Sequence, residues 1–293
     1  MRDSLIAWLV RALLWLLGHL PVAAALAVSR AAFGLLDRLV PRYRRIARRN
    51  LERALPELSA GERERVIDGV FLSLARMLAT FARFPQLDRS NIHQYIRYEG
   101  FEHFQRGLEQ GRGVLFYTAH LGAWELSAFA HALLAEPMHV MVRPLDNRAL
   151  DRLATRYRTL SGNRLHDKKA SARAMMQALR ANQAIGILAD QNAMPNEGAF
   201  VPFFGHQACA HTGVARIAAH TGAVVIPGFA LWSDAEQRYV LRFYPPVAMS
   251  GDAVEDTRRL HAVLESVIRA YPEQWLWIHR RWKTRPPGEP AFY

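Results

Sequence analysis

The residues of this chain best suited to chemistry are His120 and Glu125, in the run TAHLGAWEL. A neutral imidazole can take the proton of a hydroxyl whose own pKa is far too high for it to ionise unaided. A carboxylate behind the ring fixes its tautomer and stabilises the imidazolium that forms. The spacing alone says little. With 12 His and 26 Asp and Glu in 293 residues, about one His-x4-acid pair arises by chance. A second pair, His131 with Glu136, does occur. It lies in or at the end of one helix, where five residues turn through about 500° and place the two side chains on different faces. His120 instead follows the apolar run GVLFYTA (113–119), and Leu121-Gly122 can turn the chain before Glu125 enters a helix. Strand ends of this kind are where open α/β sheets bind ligands.

Other polar residues stand at similar points. Arg143 closes the strand-like run MHVMVR (138–143) and suits a phosphate, or else a surface ion pair. Asp190 follows the buried run AIGILA (184–189), beside Gln191 and Asn192. That cluster suits substrate binding or the ordering of a turn. Cys209 is the single cysteine, so there is no intrachain disulfide, and a reducing compartment fits. With His206 and His211 near it, Cys209 is a candidate nucleophile; a small buried side chain is the favoured reading. No G-x-S-x-G elbow occurs, which argues against a covalent serine intermediate. None is needed if an acyl group arrives as a thioester. The remaining histidines form no His-x3-His pair, so no metal is expected.

These positions require an alternation of strands and helices. Strands are predicted over 113–119, 138–143, 184–189, 223–232 and 238–246. Helices are predicted over 42–84, 122–135, 147–160, 169–181, 211–220 and 253–270. The stretch 190–210 reads as a loop broken by Gly and Pro. The pattern predicts an α/β fold with a mixed, mostly parallel sheet flanked by helices. Ser59 with Glu62 is a capping-box signal before VIDGVFLSLARMLATFARF.

Mean hydropathy is −0.08, which excludes a polytopic membrane protein. The net charge of +12 calls for a polyanionic partner, nucleic acid or an anionic membrane surface. There is no C2H2 spacing, RNP-like pattern or phosphate-binding glycine loop, so nucleic acid is not the expected partner. Residues 5–40 are almost continuously apolar and are expected to form a membrane-anchoring helix; a spanning helix needs about 20 apolar residues. Six arginines follow within 42–53: Arg42, Arg44, Arg45, Arg48, Arg49 and Arg53. They favour a cytoplasmic flank and suit anionic headgroups. The organisation is therefore an anchor over 1–40 and a catalytic domain over 41–293.

Taken together, these residues resemble the lysophospholipid acyltransferase superfamily, and within it the bacterial lipid A late-acyltransferase family. TAHLGAWEL is similar to its His-x4-acid block, with Glu where the glycerolipid branch usually carries Asp. VRPLDN (142–147), GILADQN (186–192), GAFVPFFG (198–205) and VVIPGF (224–229) follow in that family's order. The tail YPEQWLWIHRRWKTRPPGEP (271–290) resembles its C-terminal block. The block around His120 lacks the polar residue many members carry inside it, which leaves the acceptor open. The resemblance implies an O-acyltransferase with His120 as general base oriented by Glu125. It implies an acyl carrier protein thioester as donor, and no further cofactor. The acceptor would be a hydroxyl of a lipid A precursor, at the cytoplasmic face of a bacterial inner membrane. Arg143 and Asp190 are then the substrate-binding candidates. His279, Arg280, Arg281 and Lys283, with Trp275, Trp277 and Trp282, suit a docking surface for the acidic donor or, alternatively, core tryptophans under solvated arginines. A lysophospholipid or aminolipid acceptor is the alternative within the chemistry. A non-catalytic basic membrane-associated protein is the alternative outside it.

Overall fold

Proline at position 21 decides the form of the N-terminal apolar run. It has no N–H to donate and disfavours a helical residue before it. The computed structural model accordingly has two helices, α1 (Arg2–His19) and α2 (Val22–Leu39). The structure describes residues 2–167 and 172–293. Among the described residues, no helix is long and apolar enough to cross a membrane, so the single anchoring helix expected over 1–40 is corrected. Part of the apolar surface is spent inside the protein. Leu14, Leu17 and Ala25 pack against Ala79 and Ala82. Other residues face outward: Trp8 is 64% exposed, Trp15 63% and Leu39 71%.

The helix expected over 42–84 is also two, α3 (Arg42–Ala54) and α4 (Ala60–Phe81), with Pro56 between them. Ser59 and Glu62 form the expected capping box. The basic run is less free than its composition implies. Arg44 pairs with Asp37, Glu64 and Asp68, and Arg48 pairs with Glu64.

The remaining elements are, in order, β1 (Ile96–Glu99), α5 (Phe101–Glu109), β2 (Val114–Thr118), α6 (Trp124–Leu134), β3 (His139–Val142), α7 (Arg148–Thr159), β4 (Arg164–Asp167), α8 (Ala172–Arg180), β5 (Ala184–Leu188), β6 (Gly198–Phe203), β7 (His206–His211), α9 (Gly213–Thr221), β8 (Val224–Ser233), β9 (Arg238–Phe243) and α10 (Ala253–Ala270). The helix expected over 169–181 is seen as α8; residues 168–171 lie outside the described residues. A seven-stranded sheet has the order β1-β9-β8-β2-β5-β3-β4. β8 and β9 are antiparallel and the other pairings are parallel, so the sheet is mixed and mostly parallel, as expected. β2 is buried along its whole length, as a strand covered on both faces must be. The stretch 190–210 is not all loop: β6 and β7 form an antiparallel hairpin in it.

The C-terminal tail is interior. Trp275, Trp277 and Trp282 are almost fully buried, and Arg281 is completely so. The Arg281 guanidinium donates to Cys209 O at 2.7 Å and sits over the Phe203 ring. The tryptophans are core residues, but Arg281 is neither a solvated arginine nor a docking cation, because it is buried with them.

Candidate active site

Parallel pairing brings the site together. β2 and β5 are in register with Thr118 opposite Leu188. Two residues beyond each strand end, His120 stands beside Asp190. The His120 Nδ1 and Asp190 Oδ1 lie 2.9 Å apart, and the His120 backbone N–H donates to Asp190 Oδ2 at 3.1 Å. The Trp275 indole N–H donates to the same Oδ2 at 2.9 Å. Asp190 is 2% exposed. Burial alone would raise its pKa. The electrostatic interaction with the His120 ring, the hydrogen bonds from that ring and from Trp275, and the His120 amide outweigh burial and bring it down to about 2. A carboxylate beside Nδ1 keeps the proton there, so Nε2 carries the free lone pair. The Gln191 side-chain nitrogen is 3.4 Å from that Nε2.

Glu125 does not hold His120, although it opens α6 as expected. Its carboxylate is taken by Arg158, whose Nε and Nη2 donate to the two oxygens at 2.8 and 2.5 Å. The reason is directional. Leaving β2, the chain points the Nδ1 edge of His120 at the neighbouring strand β5, while α6 turns Glu125 toward α7. A two-pronged guanidinium then matches the carboxylate better than a single ring nitrogen would. Burial lowers the Arg158 pKa, but Glu125 more than reverses this and leaves it raised.

The turn between the strand and α6 depends on Gly122. Its φ is +62°, and a Cβ there would collide with Ala230 O. The tail locks this turn. Gly122 N donates to Gln274 O at 2.9 Å, and Leu276 N donates to His120 O at 3.0 Å. Asn192 N donates to His279 Nε2 at 3.2 Å. Burial pushes His279 down to about 4, which keeps it a neutral acceptor.

A cavity of about 870 Å³ opens over these groups. His120, Glu125, Arg158 and Gln191 line it together with Phe116, Phe129, Met138 and Phe243. A lining that combines a few polar groups with many apolar ones fits a ligand with a reactive head and a hydrocarbon tail. Arg143, just past β3, is 83% exposed at the rim, with Asp146 at 3.7 Å. The other His-x4-acid pair is structural. His131 is buried among Phe104, Phe116 and Phe243, and burial lowers it to about 4. Cys209 is buried on β7, where burial raises its thiol, the reverse of an activated nucleophile. His206 and His211 point elsewhere, to Arg53 O and Glu197 respectively.

Arg158 and Trp275 were not among the expected site residues. The position of Arg158, ten residues into a basic helix, gives no sign of it in the sequence. Trp275 was noted only as part of the tail. His120 and Asp190 each follow a buried apolar run in the sequence, but the pairing of β2 with β5 that makes them neighbours is visible only in the fold.

A sheet whose strand ends bring a buried carboxylate and an imidazole together beside a cavity lined largely by apolar residues defines an α/β fold with a candidate active site at those strand ends. Comparison with known proteins gives the class of protein. The family model for bacterial lipid A biosynthesis acyltransferase matches residues 1–284. The chain is 31% identical to a lipid A biosynthesis lauroyltransferase of Escherichia coli (strain K12) over 292 residues, covering 98% of this chain and 94% of that protein. It is 28% identical to the palmitoleoyltransferase of the same organism, covering 98% and 94%. With its myristoyltransferase it shares 27% identity, covering 86% and 79%. The chain belongs to the bacterial lipid A biosynthesis acyltransferase family and is an acyltransferase.

Proposed function

We propose that this protein transfers a fatty acyl chain from an acyl carrier protein thioester to a hydroxyl of a lipid A precursor, with His120 as general base. The observation that carries this reading is the His120 ring held at Nδ1 by a buried carboxylate, with Nε2 left as an acceptor beside a cavity lined largely by apolar residues. The acceptor hydroxyl gives its proton to Nε2 as its oxygen attacks the thioester carbon. Asp190 stabilises the imidazolium that results. An oxyanion forms on the carbonyl oxygen, and Arg158, fixed by Glu125, supplies positive charge at the cavity wall. The C–S bond then breaks and the thiolate takes the proton from His120. Glu125 acts through Arg158 rather than on the imidazole. Arg143, exposed at the rim, is assigned to a phosphate of the acceptor.

We place the protein at the cytoplasmic face of a bacterial inner membrane. The outward Trp8, Trp15 and Leu39 support a helical hairpin lying in the bilayer interface instead of crossing it. The test uses the full chain with lipid vesicles, acyl carrier protein charged with a fatty acid, and a lipid A precursor. Mass spectrometry should find one added acyl group with wild type and none with His120→Ala. Equal acylation by that variant would overturn the mechanism; no acylation by wild type would overturn the substrate assignment.

A further inference from the structure

The helix α7 carries Arg148, Arg152 and Arg156 at i, i+4 and i+8, which is one face of a helix. All three are exposed. Among the described residues, no ion pair and no side-chain hydrogen bond reaches any of them. Some surface arginines are paired, as Arg97 is with Glu236, Arg258 with Glu255 and Arg269 with Glu265, while others such as Arg45, Arg65 and Arg106 share no side-chain partner among the described residues; what sets α7 apart is three of them in one row beside the cavity. The acid within α7 is engaged elsewhere, since Asp151 accepts the Leu145 N–H at 2.9 Å. Asp146, before the helix, faces Arg143.

The arrangement works against the helix that bears it. Like charges four residues apart repel across the helix surface. Arg148 opens α7, where the helix dipole is positive and an acid is preferred. Asp151 is the one acid in the first turn, and a row of like charges with no side-chain partner among the described residues points to a face kept for a ligand. Its location says which function. α7 borders the site: Arg158 in its last turn lines the cavity and reaches Glu125, and the loop leading into the helix lines the cavity with Arg143 and Leu145.

We propose that the Arg148–Arg152–Arg156 face of α7 is where an acidic carrier protein docks to deliver its thioester into the cavity. This rests on the donor assigned above. The three guanidinium groups span about 12 Å along the helix axis, a register that fits a row of carboxylates on a partner helix. Anionic headgroups would need no such periodicity. The tail offers fewer docking cations than its composition implies, since Arg281 is buried.

The experiment compares wild type with Arg148→Glu/Arg152→Glu/Arg156→Glu and, as a milder second variant, with Arg152→Gln. Three quantities are measured: KM for acyl carrier protein at several salt concentrations, activity with the same acyl group on pantetheine, and co-sedimentation with phosphatidylglycerol vesicles. The triple variant should raise KM for the carrier by about tenfold or more and flatten its salt dependence. Turnover of acyl-pantetheine and vesicle binding should match wild type. Arg152→Gln should move KM in the same direction by a smaller factor. An unchanged KM for the carrier overturns the proposal. So does an equal loss with acyl-pantetheine, which would place the effect in the cavity. Loss of vesicle binding with carrier KM intact would assign the face to the membrane instead. If wild type uses acyl-pantetheine but never the acyl carrier, the donor assignment fails first and the docking face fails with it.

Discussion

Three N–H donors converge on Asp190, and the two from side chains can be removed separately. Trp275→Phe keeps the ring and the packing but leaves Oδ2 one donor short. A buried charged acceptor that loses a donor costs about 1–3 kcal/mol, so thermal unfolding should move down. The Asp190 pKa should rise, and kcat should fall while KM for both substrates holds. A kcat equal to wild type would show that the indole only packs. The lowered pKa of Asp190 also has a sign. Its folded value, about 2, lies below the ordinary 3.8. The stability it contributes, on the order of 2 kcal/mol, is complete above about pH 4 and is lost as pH falls through 2. Acid unfolding of Asp190→Asn should therefore lack that part of the wild-type pH dependence. Glu125→Gln tests the other pair. It leaves the Arg158 guanidinium half-matched and should lower kcat without altering the hydrogen bond at His120 Nδ1, which the ring's NMR shifts report.

At the scale of elements, the turn between β2 and α6 is the most constrained part of the site. Gly122→Ala introduces a Cβ at positive φ against Ala230 O. It should displace the His120 loop from the tail, with loss of activity and a stability loss of about 1–3 kcal/mol in a melting experiment. The N-terminal hairpin makes a separate prediction. Trp8→Ser with Trp15→Ser should weaken vesicle binding, while the fold, which buries neither side chain, melts as before. The elements also show what the sequence could and could not reveal. Runs such as 113–119 and 184–189 were legible because continuous apolar character leaves few alternatives for a short buried strand. β1 and β4 were not, since IRYE and RLHD are short, polar edge segments. The β6–β7 hairpin was hidden by its Gly and Pro content, which reads as loop until pairing with a neighbour supplies the hydrogen bonds. Pro21 marks the N-terminal helix break in the sequence, yet the apolar run around it is long enough to imitate one continuous helix.

Across the whole molecule, buried histidines link stability to acidity. His131 and His279 titrate at about 4 because burial disfavours their charge. Both are neutral in the folded state and take up protons more readily when unfolded, near 6.5. Their contribution is present above pH 6.5 and declines as pH falls toward 4. The protein should therefore lose melting temperature steadily over that interval, and His131→Phe should flatten the decline. The site was partly legible at this scale too. His120, Glu125, Arg143 and Asp190 all line or border one region, as strand-end positions implied. Which carboxylate faces the imidazole was not legible, because it depends on sheet register and on an arginine 33 residues from Glu125. Spacing along the chain carries neither.

The most direct measurement is kcat for acyl transfer to the lipid A precursor by Asp190→Asn, at saturating donor and acceptor, beside wild type. An amide in place of the carboxylate removes the charge that stabilises the imidazolium and no longer enforces the proton on Nδ1. The rate should fall by about 10²-fold or more, with KM little changed and the protein still folded. A folded Asp190→Asn that turns over at the wild-type rate would contradict the assignment of His120 as a base held by Asp190.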